Sequence, residues 1–557
     1  MSRPKGPALP PKNLIDRVIE YVAPVRAKQR MVARAQMALV GQYTAGRTDR
    51  RSMLNWAPFP GSADNDSAFD LRVMRGRTRD MARNQPLALG AINTVVTNVA
   101  GTGLVMRSVI DFASLGLNED EAQEWQHQTE REFRTWAENP NACDATRTND
   151  FYSLQSLALR SALDSGDVFA ALPMISRRDS VYSTKVQLIE ADRVINKDYL
   201  PNTNKMVAGV EMDANGAPAK YHILQSHPGG IMPLPLVWDV VPAFGTRTGR
   251  RNIVHLYDKL RPGQTRGVPY LAPVVDALKQ LSDYTHAEIT AAVVSSMFTV
   301  FVTTENNGGL DTGDGSSPTS AQPGSNLQMG PGAVLDLAAG EDVQFANPNR
   351  PNTAFDGFVL SILRQVGVAL QLPFEVLVKH FTASYSAARA ALLEAWRFYK
   401  GRRAWLAQQF CQPIYEAWLE EAVALGRIDA PGFFDDPAIR AAYIGTEWIG
   451  DSPGQIDPQK EVDAQKGLLE LNLTTHSDAC VALTGGDWDS IVQRRAREEQ
   501  TLEKLGLQTI YAPLVSANVN TPAPGPNQNK NGNSQDKGDQ ETGDAPASDD
   551  ASDLEGA

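Results

Sequence analysis

Phe355-Asp-Gly-Phe-Val-Leu-Ser-Ile-Leu-Arg-Gln-Val-Gly-Val-Ala-Leu-Gln-Leu372 and, after a short break, Ser386-Ala-Ala-Arg-Ala-Ala-Leu-Leu-Glu-Ala-Trp-Arg-Phe-Tyr-Lys400 decide how this chain is read. The first run is apolar round most of its circumference and stops at Pro373, with Leu372 biased away from helix by the proline that follows. The break is the polar loop Lys379-His-Phe-Thr-Ala-Ser-Tyr385. The second run keeps a helical pattern to about Leu425, which at about 1.5 Å per residue is roughly 60 Å, far beyond the average globular helix. Leu392, Trp396, Tyr399, Leu406, Phe410 and Ala417 share one face at steps of three and four, with Arg403 and Pro413 at the remaining positions. Gly401 weakens the middle, and Pro413 kinks the helix or divides it. The periodicity fits a long core helix of an α-rich protein. It also fits a bent helix that crosses a subunit and leaves the preceding loop projecting.

What flanks this pair is unusual. Residues 273–302 have a helical pattern whose most apolar window, Ala287–Val302, contains Glu288 and several hydroxyl side chains and is too short for a membrane span. Residues 303–352 hold eight glycines, several prolines and six acidic residues (305, 311, 314, 336, 341, 342) against Arg350, with short strands expected at Ala333–Leu337 and Asp342–Phe345. A small acidic subdomain is thus bracketed by two apolar helices, and the loop and the long helix follow.

Upstream the chain is helical and then strand-rich, an α+β arrangement that is mainly helical overall. Helices are expected over Arg72–Asn84, Ala88–Val99, Glu119–Trp136 and Phe151–Leu163. Strands follow at Asp167–Ile175, Val186–Ile189, Gly209–Asp213, Lys220–Leu224 and Arg250–Tyr257. Asn215-Gly216 is hairpin-turn chemistry, since both residues tolerate positive φ. Residues 1–51 carry eleven Lys/Arg against three Asp/Glu, a basic arm for DNA or an acidic partner, or simply a solvated, partly helical tail. From about Val519 the chain is rich in Pro, Asn, Gly and Ser, with eight acidic residues against Lys530 and Lys537, the composition of a disordered tail.

With 557 residues and 42% hydrophobic content, the chain is long enough for two to four domains and a sizeable core. A net charge of −12 argues against a protein that coats duplex DNA, which needs clustered Lys and Arg, but not against one that lets DNA pass. Cys143, Cys411 and Cys480 are too few and too widely spaced for a disulfide framework or a structural zinc. No secretory signal is visible. Catalytic signatures are missing: no phosphate loop, no His-Glu-x-x-His, no Gly-x-Ser-x-Gly, and seven scattered histidines, so no catalytic residue, cofactor or metal is expected. Asp64-Asn-Asp66 lacks the later residues of a calcium loop. Gly101-Thr-Gly103 is a turn, and His255 is a satisfied strand histidine. The loop 379–385, with one cation, one histidine, hydroxyls and an aromatic, remains the best site candidate, either touching a phosphate backbone without reading sequence or serving as an ordinary helix–helix connection.

Several stretches, taken in order, resemble the lambda-type family of tailed-bacteriophage portal proteins. They are Arg77-Thr-Arg-Asp-Met-Ala-Arg-Asn-Gln-Pro86, Ser165-Gly-Asp167, Val186-Gln-Leu-Ile-Glu-Ala-Asp-Arg193 and Gly209-Val-Glu-Met-Asp213. His255, Arg261-Pro-Gly-Gln-Thr-Arg-Gly267, Tyr385-Ser-Ala-Ala-Arg389 and Ile456-Asp-Pro-Gln-Lys-Glu461 complete the series. Each is weak alone; their order from about residue 15 to 510 is specific. Ala387 stands where the family pattern has a second serine.

The resemblance implies a non-enzymatic portal fold with wing, stem, clip and crown parts in a ring-shaped oligomer, usually of twelve subunits, at one capsid vertex. Double-stranded DNA would pass through without sequence-specific contacts, packaged by the terminase large subunit and later ejected. Major capsid and scaffold proteins and the head-completion or tail connector proteins are the other implied partners, with no membrane. Location would be the virion, and the host cytoplasm during assembly. On this reading 1–51 is a basic arm, 52–272 the wing, 273–302 the first stem helix and 303–354 the clip. Residues 355–372 are the second stem helix, 373–385 the tunnel loop, 386–425 the long bent wing helix, 426–510 wing end and helical crown, and 511–557 the acidic tail. Lys379, His380, Thr382, Ser384 and Tyr385 would face the DNA channel, and Asp311, Asp314, Asp336, Glu341 and Asp342 the terminase. The alternatives are a nucleic-acid-processing enzyme, such as a terminase subunit or nuclease, and another capsid structural protein.

Overall fold

The computed structural model describes residues 58–230, 235–296, 300–304, 341–345, 355–381, 384–455 and 457–507, with a few positions nearer the start (21, 24–26, 29, 56). Of 294–296, 300–304 and 341–345 only the backbone is described. Most of the basic arm, most of the acidic subdomain with its expected strand at 333–337, Thr382, and the acidic tail lie outside the described residues.

The first layer is helical, and each helix starts where a side chain can close it. In α1 (Ala63–Ser67) Ser62 accepts from the Asn65 N–H at 3.2 Å. Helix α2 spans Leu71–Asn84, and α3 (Pro86–Val99) opens on a proline whose missing N–H costs nothing there. Helix α4 (Glu119–Ala137) begins with a reciprocal capping box between Asn118 and Glu121. In α5 (Phe151–Ser165) Asp150 accepts from the Ser153 N–H at 2.7 Å. Their apolar faces meet in one core around Ile92, Val95, Val99, Phe133, Trp136, Phe151 and Leu159, all 2% exposed or less.

Short antiparallel strands follow. Strand β1 (Val105–Ser108) pairs far along the chain with β11 (Thr446–Ile449). Strand β2 (Asp167–Ala171) lies between β3 (Gln187–Glu190) and β8 (Ile253–Tyr257), with Phe169 opposite His255. A second sheet runs β4 (Met206–Val207), β5 (Val210–Met212), β6 (Pro218–Leu224), β7 (Trp238–Pro242). Its β5–β6 turn is the expected Asn215-Gly216, with Gly216 at φ +82 and the Asp213 carboxylate accepting from the Asn215 and Ala217 N–H groups. The strand expected over 167–175 ends at Ala171, two residues before Pro173, which has no N–H for the ladder.

In the second half, α6 spans Val275–Ser296, β9 is Val300–Thr304, β10 is Glu341–Phe345 and α7 is Phe355–Ala369. A helix running to 302 is therefore corrected: Val300-Phe-Val-Thr-Thr304, rich in β-branched residues, pairs antiparallel with β10 instead. A short helix α8 (Phe374–Val378), unanticipated within 373–385, precedes α9 (Tyr385–Leu406). Helix α9 runs through a π-helical turn, Ala407–Cys411, into α10 (Gln412–Ala424). Then come α11 (Pro437–Tyr443), α12 (Pro458–Glu470) and α13 (His476–Thr484). The described residues fall in two units, 1–488 and 489–557; α14 (Trp488–Lys504) supplies the described helix of the second. Among the described residues no helix is long and apolar enough to cross a membrane.

Candidate functional site

The loop after α7 is built by a hard stop, a buried peg and a left-handed exit. Gln371 takes φ +56, and the Leu372 N–H folds back to the Gly367 carbonyl at 2.9 Å. A Cβ on Gly367 would sit 2.7 Å from the Leu372 carbonyl oxygen, so this return requires glycine. The Tyr270 hydroxyl donates to the Leu370 carbonyl and ties the turn to the strand-rich half. Pro373 then begins α8, whose Val376 and Leu377 are buried. Lys379, at φ +56, ends it, and the His380 N–H closes on the Glu375 carbonyl at 3.1 Å.

Beyond that peg everything described is outside. Lys379, His380, Phe381, Ser384 and Tyr385 are all exposed, and the Tyr385 hydroxyl accepts from Arg389 Nη1 at 3.3 Å. Phe381, 48% exposed, belongs with the expected site residues though it was not singled out among them. Its signal in the sequence is an aromatic set between His380 and Thr382 in an otherwise polar loop.

Behind the loop stands the long helix. Leu406, Phe410, Tyr415 and Trp418 are fully buried, and Tyr399 and Ala417 nearly so, while Leu392 at the loop end is 38% exposed. The predicted face is thus buried from Tyr399 onward. Phe133 meets Phe151, Tyr415 and Trp418 edge-on at 5.1–5.7 Å, which packs the second half of the helix against α4 and α5. Pro413 neither breaks nor ends the helix. The π-helical turn immediately before it takes up the disruption of the normal backbone hydrogen-bond ladder.

A second cluster gathers four of the eight dispersed sequence stretches at one buried carboxylate. Asp167, with no exposed side-chain surface, is met by Arg75 Nη2 at 2.7 Å, by Arg266 through Nε and Nη2, by His255 Nε2 at 3.3 Å and by the Gly267 N–H at 3.3 Å. Arg266 goes on to the Val194 and Ala191 carbonyls at 2.8 and 2.9 Å and to that of Ala208. Arg75 reaches the Ser165 carbonyl at 2.8 Å. Backbones touch here as well: a Cβ on Gly267 would lie 1.9 Å from the Gly166 carbonyl oxygen. Burial alone would push the Asp167 carboxyl up, but Arg266, Arg75 and the His255 hydrogen bond hold it well below the usual carboxylate range. Burial likewise pulls Arg75 down to about 10 against the attraction of Asp167. It also lowers His255, a ring stacked between Phe169 and Tyr257 at 4.1 and 4.3 Å. Shielded from solvent and fully paired, this node locks helix, sheet and loop together and offers nothing to a ligand.

At the rim of that node, Glu190, Asp192 and His227 bring three ligand-type atoms within 4.8 Å of one another. Arg79 already sits on both carboxylates, 3.0 Å from Glu190 and bonded to Asp192. The Gly229 N–H donates to His227 Nδ1 at 3.0 Å, and Nε2 faces the carboxylates at 3.4 and 3.6 Å. With Arg79 already on both carboxylates, the set is an ion-pair cluster.

Of the residues expected to face a terminase, Glu341 and Asp342 lie on β10 opposite Thr304 and Thr303, while Asp311, Asp314 and Asp336 lie outside the described residues.

The family described as "Phage portal protein, lambda family" matches residues 49–403, which span both bracketing helices, the loop and the start of α9. Portal protein B of Escherichia phage lambda is 24% identical over 478 residues, covering 81% of this chain and 88% of that protein. The portal protein of Escherichia phage N15 is 25% identical over 480 residues, covering 80% and 88%. Among solved structures, a chain of the virion of a native gene transfer agent particle covers 76% of this chain and 97% of its own length, with 12% identity and a TM-score of 0.40.

Proposed function

Because this chain belongs to the lambda family of phage portal proteins, a structural and not an enzymatic family, we propose that it forms a twelve-subunit ring at one capsid vertex, through which double-stranded DNA is packaged and later ejected. The observation that carries this reading is the family match itself, unbroken through the helix–insertion–helix–loop order. Helix α6, ending at Ser296, and residues 355–372 are the stem, β9 and β10 with the residues between and after them to 354 the clip, 373–385 the tunnel loop and 386–425 the wing helix behind it. Residues 52–272 form the wing and 426–510 its end and the crown. Ile289 and Val293 on α6, with Phe358 and Val368 on α7, are 49–80% exposed apolar side chains. Such surface is what stem helices would bury between neighbours in a heterologous interface that closes on itself.

The motor is a partner, the terminase large subunit, which docks on the acidic clip; head-completion and tail connector proteins, major capsid protein and scaffold are the other partners. The ring assembles in the host cytoplasm and ends in the virion. Lys379, His380, Ser384 and Tyr385, projecting on a stiff base, suit weak contact with a phosphate backbone that must slide past.

Electron microscopy of the purified chain tests the reading. Closed rings near twelvefold symmetry without ATP hydrolysis or DNA cleavage are expected; monomers, shells or nuclease activity would overturn it. Reversing Asp311, Asp314, Asp336, Glu341 and Asp342 to lysine is expected to weaken terminase binding in a pull-down while rings persist. Unchanged binding would place the docking surface elsewhere.

A further inference from the structure

The first turn of α9 is held from outside rather than by its own cap. Ser384 stands at the N-cap position and makes no side-chain capping bond, and residues 384–387 are exposed. The Ala388 N–H closes the first turn on the Ser384 carbonyl at 3.0 Å. A helix start without a side-chain acceptor leaves N–H groups to water and frays.

What reaches this turn is Arg389. Its Nη1 lies 3.3 Å from the Tyr385 hydroxyl and 3.3 Å from Glu461 Oε1, in the first turn of α12, seventy-two residues away along the chain. The start of α12 is closed: the Asp457 side chain accepts from the Lys460 N–H at 3.4 Å, and Lys460 Nζ is 2.8 Å from Asp457 Oδ2. A cation so close to the start of α9 opposes the helix dipole, and the Glu461 carboxylate offsets that opposition. Beside this contact, and lined by Arg389 and Glu461 themselves, a groove of about 690 Å3 runs between α9 and the α12–α13 hairpin, with Leu392, Leu393, Trp396, Leu468 and Leu473 among its walls. Helix α12 contributes no buried residue. The hairpin therefore rests thinly on α9, and the Arg389–Glu461 pair joins it to the end of α9 from which the loop departs.

We propose that Arg389 is a positioning residue for the loop, acting through Glu461, so that the seating of the α12–α13 hairpin sets how α9 begins. The meaning of this coupling for packaging rests on the channel reading of 373–385; the coupling itself does not. Arg389→Ala and Glu461→Gln, each in assembled rings, test it by amide hydrogen exchange over residues 384–390. Both are expected to speed exchange there about threefold, the scale of a partly exposed ion pair. The swap Arg389→Glu with Glu461→Arg is expected to restore the slow rate. DNA packaging is expected to fall with the single changes and recover in the swap. Unchanged exchange at 384–390 in Glu461→Gln overturns the proposal, because a purely local role for Arg389 would not respond to a change on α12. Faster exchange with undiminished packaging upholds the coupling and counts against the channel reading instead.

Discussion

Two polar clusters of this protein invert each other. Around Asp167, three charged residues and a histidine are withdrawn from water, with every carboxylate oxygen met by a donor. At 379–385, a lysine, a histidine and hydroxyl side chains stand in solvent, and Lys379 and His380 have no ion-pair partner among the described residues. The first cluster joins six separated stretches of sequence, around Arg75, Asp167, Ala191, Ala208, His255 and Arg266; the second is one short stretch on a buried peg. Charge that fixes a fold is buried and paired, whereas the proposed role of the second cluster, weak contact with a passing polyanion, calls for charge that stays hydrated and free to exchange partners.

The largest expected effect breaks the first cluster. Asp167→Ala leaves Arg266 buried with no carboxylate partner and Arg75 with only Asp192, 3.4 Å away, and should cost about 3–5 kcal/mol, read as a large fall in melting temperature or loss of soluble protein. If the melting temperature holds, the node is not what joins these elements.

Acid should weaken the same cluster in two steps. His255 is buried with its basicity lowered, so its contribution is full above the unfolded value of about 6.5 and is lost as pH falls below it. Asp167 is held below its unfolded value of about 3.9, so its contribution is full above that pH and is lost as pH falls further. Thermal scans against pH should show both, and His255→Gln should remove the upper step alone.

Tyr270→Phe, which removes the hydroxyl bonded to the Leu370 carbonyl, should cost about 1 kcal/mol, measured as a small shift in melting temperature. The smallest effect on stability belongs to the second cluster. Lys379→Ala with His380→Ala should leave the melting temperature and the ring unchanged while DNA packaging falls. A stability loss there instead would erase the contrast.

The helices were readable because period and cap agree, as with Asn118 and Glu121 at the start of α4. Strands β1 and β11 were not, because each is four residues long and finds its partner more than three hundred positions away. Val300–Thr304 read as helix because a short apolar run has no decisive period, and only its pairing with β10 makes it a strand. Helix α8 is hidden in the sequence because Pro373 both ends one helix and caps the start of another, and five residues are too few to show a period. The candidate loop could be located from sequence, yet its buried peg could not. The sequence resemblance placed Ser165-Gly-Asp167 and Arg261–Gly267 in order without indicating that Asp167 and Arg266 are bonded across ninety-nine residues.

The π-helical turn at 407–411 carries a last consequence. It gives the long helix one residue of slack, so the two halves are not in phase as a single straight rod would be. Removing Gln408 or Gln409, both exposed, would take out that extra residue and let an uninterrupted α-helix form with Tyr415 and Trp418 still directed at Phe133. The same deletion in the regular helix on either side, where there is no slack, would rotate everything after it by about 100°. Single-residue changes of length are therefore tolerated best where the helix looks least ideal.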